Sequence, residues 1–175
     1  DFIASGASGN ESAYGGAVAN DGSAYVVGRQ QDLVMLNSSS FVRKYDVSGA
    51  AVWTQVYDNP AYPLGADIMR AAAVDATGNI YAAGYRQNAS GDVDMVLLSY
   101  DSSGNMRAGF PANYGGGNNE SAYGITISGS DVYVTGYEQS SPNNTDMFLR
   151  KYTTAGVPVW AQTYNSSGNQ SDIGY

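Results

Sequence analysis

Tyr25-Val26-Val27-Gly28 reads as the end of a short β-strand, apolar residues closed by a glycine. The same phrase returns as Tyr81-Ala82-Ala83-Gly84 and again as Tyr133-Val134-Thr135-Gly136, 56 and then 52 residues further on. Recurrence at such a period marks a modular array in which each unit hides its apolar faces against its neighbours. Around that phrase each copy divides into four β-patterned runs. They are 15–19, 24–28, 41–45 and 51–57 in the first copy, and 124–128, 132–137, 147–152 and 157–164 in the third. The middle copy has 71–74, 80–85, 95–100 and a looser fourth run ending at Tyr114. Asn20-Asp21-Gly22 and the Asp-x-x-Gly turns at Asp46, Asp75 and Asp101 supply the reversals.

Four antiparallel strands per unit is the blade of a β-propeller, so the expected fold is all-β with three blades in a single array over 1–175. The blades are expected at 11–65, 66–118 and 119–168, with 1–10 the end of a preceding blade or a linker and 169–175 the start of a further one. Asn10-Glu11-Ser12 matches Asn119-Glu120-Ser121, and Asn169-Gln170-Ser171 is aligned with the same link. Closed propellers have about four to eight blades, so the ring is incomplete unless another chain or further sequence completes it. The start at Asp1, without a charged-then-apolar leader, is expected of a processed chain or of a piece of a longer array.

Several positions keep their character across the copies. Trp53 and Trp160 stand four residues before Tyr57 and Tyr164, and Phe110 holds the same offset before Tyr114. All six are expected to pack between blades, where each large side chain removed from water contributes about 1.5–3 kcal/mol. Gly28, Gly84 and Gly136 close the second strand, where a bulge or a close backbone approach excludes a Cβ.

Composition narrows the chemistry. Sixteen acids against eight bases give a net charge of −8, which repels a phosphate backbone, so nucleic acid is not an expected partner. There is no Cys and no His, which removes disulfides, thiolate nucleophiles, Cys-ligated zinc and the commonest general base. No apolar run approaches the length of a membrane span. The Asp-x-x-Gly turns invite a structural calcium ion, but tight turns need Asp and Gly in any case, and no cofactor is expected.

The search for a catalytic pair finds Glu11 and Glu120 at equivalent positions, and Asp94 and Asp146 likewise, so structural roles are predicted for all four. Arg43-Lys44 and Arg150-Lys151 are expected to decorate a solvent face of the third strand. Seven Asn-x-Ser/Thr triplets, at Asn10, Asn37, Asn88, Asn119, Asn143, Asn165 and Asn169, fall in predicted loops and are candidate glycosylation sites. Tyr62, Tyr85 and Tyr137 are the exposed-aromatic candidates for contact with a glycan.

The order Ser-Ala-Tyr-Gly, Tyr-x-x-Gly, Asp-Met-Phe-Leu-x-Lys-Tyr, a Gly turn and Trp-x-x-x-Tyr resembles the bacterial β-propeller repeats of the SBBP type. The third copy carries it best, in Ser121-Ala122-Tyr123-Gly124, 133–136, 146–152, Gly156 and 160–164. The middle copy departs, with Arg70-Ala71 for Tyr-Gly and Phe110 for Trp, and the first has Ser39 where the later ones have Asp94 and Asp146. The resemblance implies a propeller in a secreted or surface protein and carries no catalytic residues with it. The expected function is therefore a non-catalytic, extracellular or cell-surface structural repeat protein that associates with itself in a filament, surface layer or adhesin. A carbohydrate-binding, lectin-like propeller is the alternative, and an accessory domain of a polysaccharide-degrading enzyme the second.

Overall fold

In a computed structural model of the chain, residues 8–32, 37–141, 143–166 and 171–175 are described, and no helix occurs among them. Among the described residues twelve strands form three four-stranded antiparallel sheets, each a simple meander. Sheet 1 holds β1 (Ser8–Val18), β2 (Ala24–Asp32), β3 (Ser38–Tyr45) and β4 (Ala51–Tyr57). Sheet 2 holds β5 (Asp67–Val74), β6 (Ile80–Gln87), β7 (Val93–Tyr100) and the short β8 (Ala112–Tyr114). Sheet 3 holds β9 (Glu120–Ser128), β10 (Asp131–Ser141), β11 (Asn144–Thr153) and β12 (Pro158–Tyr164). The innermost strands β1, β5 and β9 lie next to one another. These are blades, and among the described residues the three do not close into a ring.

Two cores hold the blades together. Tyr25, Val27, Val42 and Tyr57 of sheet 1 face Met69, Ile80, Ala82, Val96, Leu98 and Tyr100 of sheet 2. The opposite face of sheet 2, with Tyr81, Ala83, Met95 and Leu97, meets Ala122, Val132, Val134, Phe148 and Tyr152 of sheet 3. The middle sheet is thus buried on both sides, which is why Met95 to Leu98 of β7 read as an unbroken apolar run while burial alternates along β11.

The inner strands begin earlier than alternation in the sequence predicts, at Ser8, Asp67 and Glu120 rather than at residues 15, 71 and 124. Each contains a bulge that skips one residue, Tyr14, Arg70 or Tyr123, and so breaks the period of two. Opposite each bulge stands the repeat glycine. A Cβ on Gly28, Gly84 or Gly136 would lie 1.9, 1.9 or 2.0 Å from the carbonyl oxygen of Ser12, Ile68 or Ser121. Both reasons anticipated for these glycines hold at once, a bulge and a backbone in contact.

The basic pairs of the third strands do not share a solvent face. Lys44 and Arg150 are buried at the joints with sheet 2, Arg43 is buried on Phe41 and paired with Glu11, and Lys151 alone lies on the open face of sheet 3. Lys44 Nζ donates to the Ser102 carbonyl of sheet 2 at 3.1 Å, and Arg150 lies over the Tyr114 ring while paired with Glu138.

Candidate functional site

Two places concentrate the chemistry, the joint between successive sheets and a cluster at the inner-strand bulges. In the first joint the Trp53 indole packs on Tyr25, with centroids 5.8 Å apart, and on Tyr100 of sheet 2, at 6.2 Å. Its Nε1–H and the Lys44 ammonium both donate to the Ser102 carbonyl, each at 3.1 Å. Gly104 makes room: a Cβ there would stand 3.1 Å from the indole. The second joint repeats the plan with other residues. Phe110 packs on Tyr81 at 5.9 Å and over Gly156 of sheet 3, while the Tyr81 hydroxyl and Arg107 both donate to the Thr154 carbonyl. Ser102-Ser103-Gly104 and Thr154-Ala155-Gly156 are the same turn in successive sheets, between the third and fourth strands.

Sheet 3 presents the first half of this joint once more. Trp160 packs on Tyr133 at 6.1 Å and the Lys151 ammonium lies 5.6 Å over that ring, as Lys44 lies 5.6 Å over Tyr25. Here the aromatic is 39% exposed and Tyr164 58%, and all seven residues of β12 are open. Trp160 and Tyr164 therefore differ from Trp53, Phe110, Tyr57 and Tyr114: the expected packing between blades is not made at these two, because among the described residues no sheet lies beyond them. Sheet 1 presents the second half. Its matching turn, Asp46-Val47-Ser48-Gly49, has nothing within 4 Å of a Cβ on Gly49, and Val47 is 76% exposed.

The residues 171–175 run over the open face of sheet 3. The Asp172 N–H donates to the Thr145 carbonyl at 2.7 Å and the Gly174 N–H to Gly136 at 3.1 Å. Asp172 Oδ2 accepts the Ser166 N–H at 2.7 Å, as Asp67 Oδ2 accepts that of Asn59 at 2.6 Å. A Cβ on Gly124 would meet the Tyr175 backbone at 2.8 Å, as one on Gly15 would meet Arg70 at 2.6 Å. Asp172 to Tyr175 thus correspond to Asp67 to Arg70 and to Glu120 to Tyr123. This moves the expected alignment of Asn169-Gln170-Ser171 by two residues; Asn169 and Gln170 themselves lie outside the described residues.

The second place is built by the skipped residues. Arg70 sits with its guanidinium carbon 4.6 Å from the centre of the Tyr123 ring, 5.4 Å from that of Tyr85 and 5.8 Å from that of Tyr14. Tyr123 in turn packs on Tyr137 at 5.9 Å and on Tyr175 at 5.4 Å. Arg29 holds in β2 the register position that Tyr85 and Tyr137 hold in β6 and β10, and its charge acts on the Tyr85 hydroxyl. Burial raises the Tyr85 hydroxyl above its usual pKa, and the charges of Arg70 and Arg29 pull it back. Of the three tyrosines singled out in the sequence, Tyr85 and Tyr137 come together, whereas Tyr62 lies in the connector with its ring against Gly65. Arg70, Arg29, Tyr14 and Tyr123 are not among the candidate site residues read from the sequence, although the repeat holds the signal: arginine replaces tyrosine once at each of the two positions.

The remaining candidates resolve into local structure. Asp46, Asp75 and Asp101 each accept the backbone N–H groups two and four residues on, at 2.8–3.0 Å, which holds their carboxyls below the usual range. Among the described residues no group of three or more acids is placed to hold a metal ion. Asp67 and Glu120 are buried, and burial pushes them up to about 6 and about 7, with Asp94 and Glu138 adding to the rise at Glu120.

The triplet asparagines do not all lie in loops. Asn10 is in β1, and Asn37 is buried with its amide on the Pro63 carbonyl, a position closed to a glycan. Asn88 donates to Asp94, and Asn119 ties Val93 to Gln139. Asn143 and Asn165 are exposed outside the strands, and Asn169 is outside the described residues. No protein-family model matches this chain, and no curated protein is significantly similar to it.

Proposed function

We propose that this chain is a non-catalytic structural repeat unit that associates head to tail with copies of itself. One observation carries the reading. The chain contains the same joint twice in full, and its two outer sheets present the two separated halves of a third, Trp160 with Tyr133 and Lys151 on one side and the 46–49 turn with an open Gly49 on the other. A surface that already fits its own repeat has a ready partner in a second copy, and uncovered β-faces drive such association. Seating a half-exposed Trp, a Tyr and Leu149 against another sheet would contribute on the order of 1.5 kcal/mol or more for each side chain fully buried. The SBBP-type repeat pattern and a surface poor in charge support an extracellular or cell-surface setting.

Sedimentation and light scattering of the purified chain test the reading, with dimeric rings or longer fibres expected at micromolar concentration. Trp160→Glu and Val47→Asp should each abolish the assembly, and a mixture of the two variants should stop at one-to-one pairs, since each retains one intact half. A chain that stays monomeric at high concentration, or assembly untouched by either substitution, would refute it.

A further inference from the structure

Six of the eight Lys and Arg side chains are engaged within the fold. Arg43, Arg86, Arg150 and Lys151 pair with Glu11, Asp94, Glu138 and Asp131. Lys44 and Arg107 bind main-chain carbonyls. Arg29 and Arg70 are the two left, and among the described residues neither has a carboxylate or carbonyl partner. In a chain with sixteen acids, two guanidiniums without one are unexpected on composition alone. They are also not scattered. Both act on Tyr85 of the bulge cluster, where Arg70 is held by ring contacts only and its Nε is buried without a hydrogen-bond partner.

The surroundings say what would satisfy them. Tyr14 is 44% exposed and Tyr175 84%, with Tyr85, Tyr123 and Tyr137 half-buried behind them, so the cluster offers flat apolar faces and several hydroxyls to solvent. A guanidinium fork matches a carboxylate, and tyrosine faces match the C–H side of a pyranose ring. The net charge of −8 disfavours a long polyanion, which would be repelled from the rest of the surface.

We propose that the inner-strand bulges form a binding site for a singly acidic sugar, a uronic acid residue in a short or mostly neutral saccharide, with the carboxylate on Arg70 and Arg29 and the ring against the tyrosines. The site uses neither Trp160 nor Gly49, so it stands or falls independently of self-association.

Calorimetric titration of the whole chain with a glucuronosyl disaccharide, with neutral cellobiose and with inorganic phosphate tests the site. The acidic disaccharide should bind saturably, and cellobiose and phosphate at least about tenfold more weakly, because each lacks one half of the recognition. Arg70→Tyr, which installs the residue the other copies carry and so is compatible with the bulge, should weaken binding of the acidic disaccharide about tenfold or more. Arg29→Gln should weaken it less, and near-native circular dichroism of both variants would show the loss to be local. Equal affinity for cellobiose or phosphate, unchanged affinity in Arg70→Tyr, or no saturable binding of the acidic disaccharide would overturn the proposal.

Discussion

The indole of Trp53 rests on the backbone of Gly104 in the neighbouring sheet, so closely that a Cβ on that glycine would lie 3.1 Å from the ring. Gly104 and Gly49 have nearly the same backbone, with φ of 90° and 82°, yet only Gly104 is covered. Both Gly→Ala variants carry the strain of a left-handed alanine, about 1–2 kcal/mol. Only Gly104→Ala also crowds a joint. In urea unfolding of the dilute chain Gly104→Ala should be less stable than Gly49→Ala by about 1 kcal/mol or more.

Buried acids set the response to pH. Glu120, raised from 4.5 to about 7, and Asp67, raised from 3.8 to about 6, bind protons more tightly in the folded chain than in the unfolded one. Their contribution is fully present below about pH 4 and is lost as pH rises through 6 to 7. The turn carboxyls of Asp46, Asp75 and Asp101 are shifted the other way and weaken the fold only as pH falls below their ordinary range. Melting temperature should therefore peak near pH 4–5 and decline toward pH 8. Glu120→Gln should flatten that decline and stabilise the chain at pH 8 by at most about 3 kcal/mol.

The glycine opposite each bulge tolerates no side chain. Gly84→Ala would place a Cβ 1.9 Å from the Ile68 carbonyl oxygen, at the centre of the sheet that both others pack on. The loss should exceed about 3 kcal/mol, more than the cost of ordinary overpacking. The expected result is a chain without the native near-ultraviolet circular dichroism signal. A variant with native stability would mean that β5 and β6 do not meet there.

Arg150 is wedged between sheets 2 and 3, over the Tyr114 ring and paired with Glu138, which also accepts from the Thr163 hydroxyl. Arg150→Met keeps the stem but strands Glu138 beside Glu120, and should cost about 3 kcal/mol at pH 8. The deficit should shrink toward pH 4, where Glu120 is protonated and no longer repels Glu138. Equal deficits at both pH values would show that lost packing, not the unpaired acid, is the cause.

Much of this architecture was legible in the chain itself. The Tyr-x-x-Gly phrases, the Asp-x-x-Gly turns and the aromatic four residues before each closing tyrosine depend on neighbours within a hairpin, and local alternation reports them. What escaped reading was what the bulges did. One skipped residue in β1, β5 and β9 breaks the alternation, so these strands looked shorter, and Tyr14, Arg70 and Tyr123 gave no sign that they meet. The burial of Arg43, Lys44 and Arg150 escaped for a related reason: their cover is a cross-strand acid or a neighbouring sheet, which alternation within one strand does not mark.

The order of residues alone determined three four-stranded units, their turns and the positions where only glycine fits, because hydrogen bonding and side-chain alternation act over a few residues. The stacking of the sheets settles which of the repeated aromatics is covered and, among the described residues, which two arginines have neither a carboxylate nor a carbonyl partner. Trp53, Phe110 and Trp160 hold the same place in their copies, and what separates them is whether another sheet stands opposite, a property of stacking that no single repeat contains.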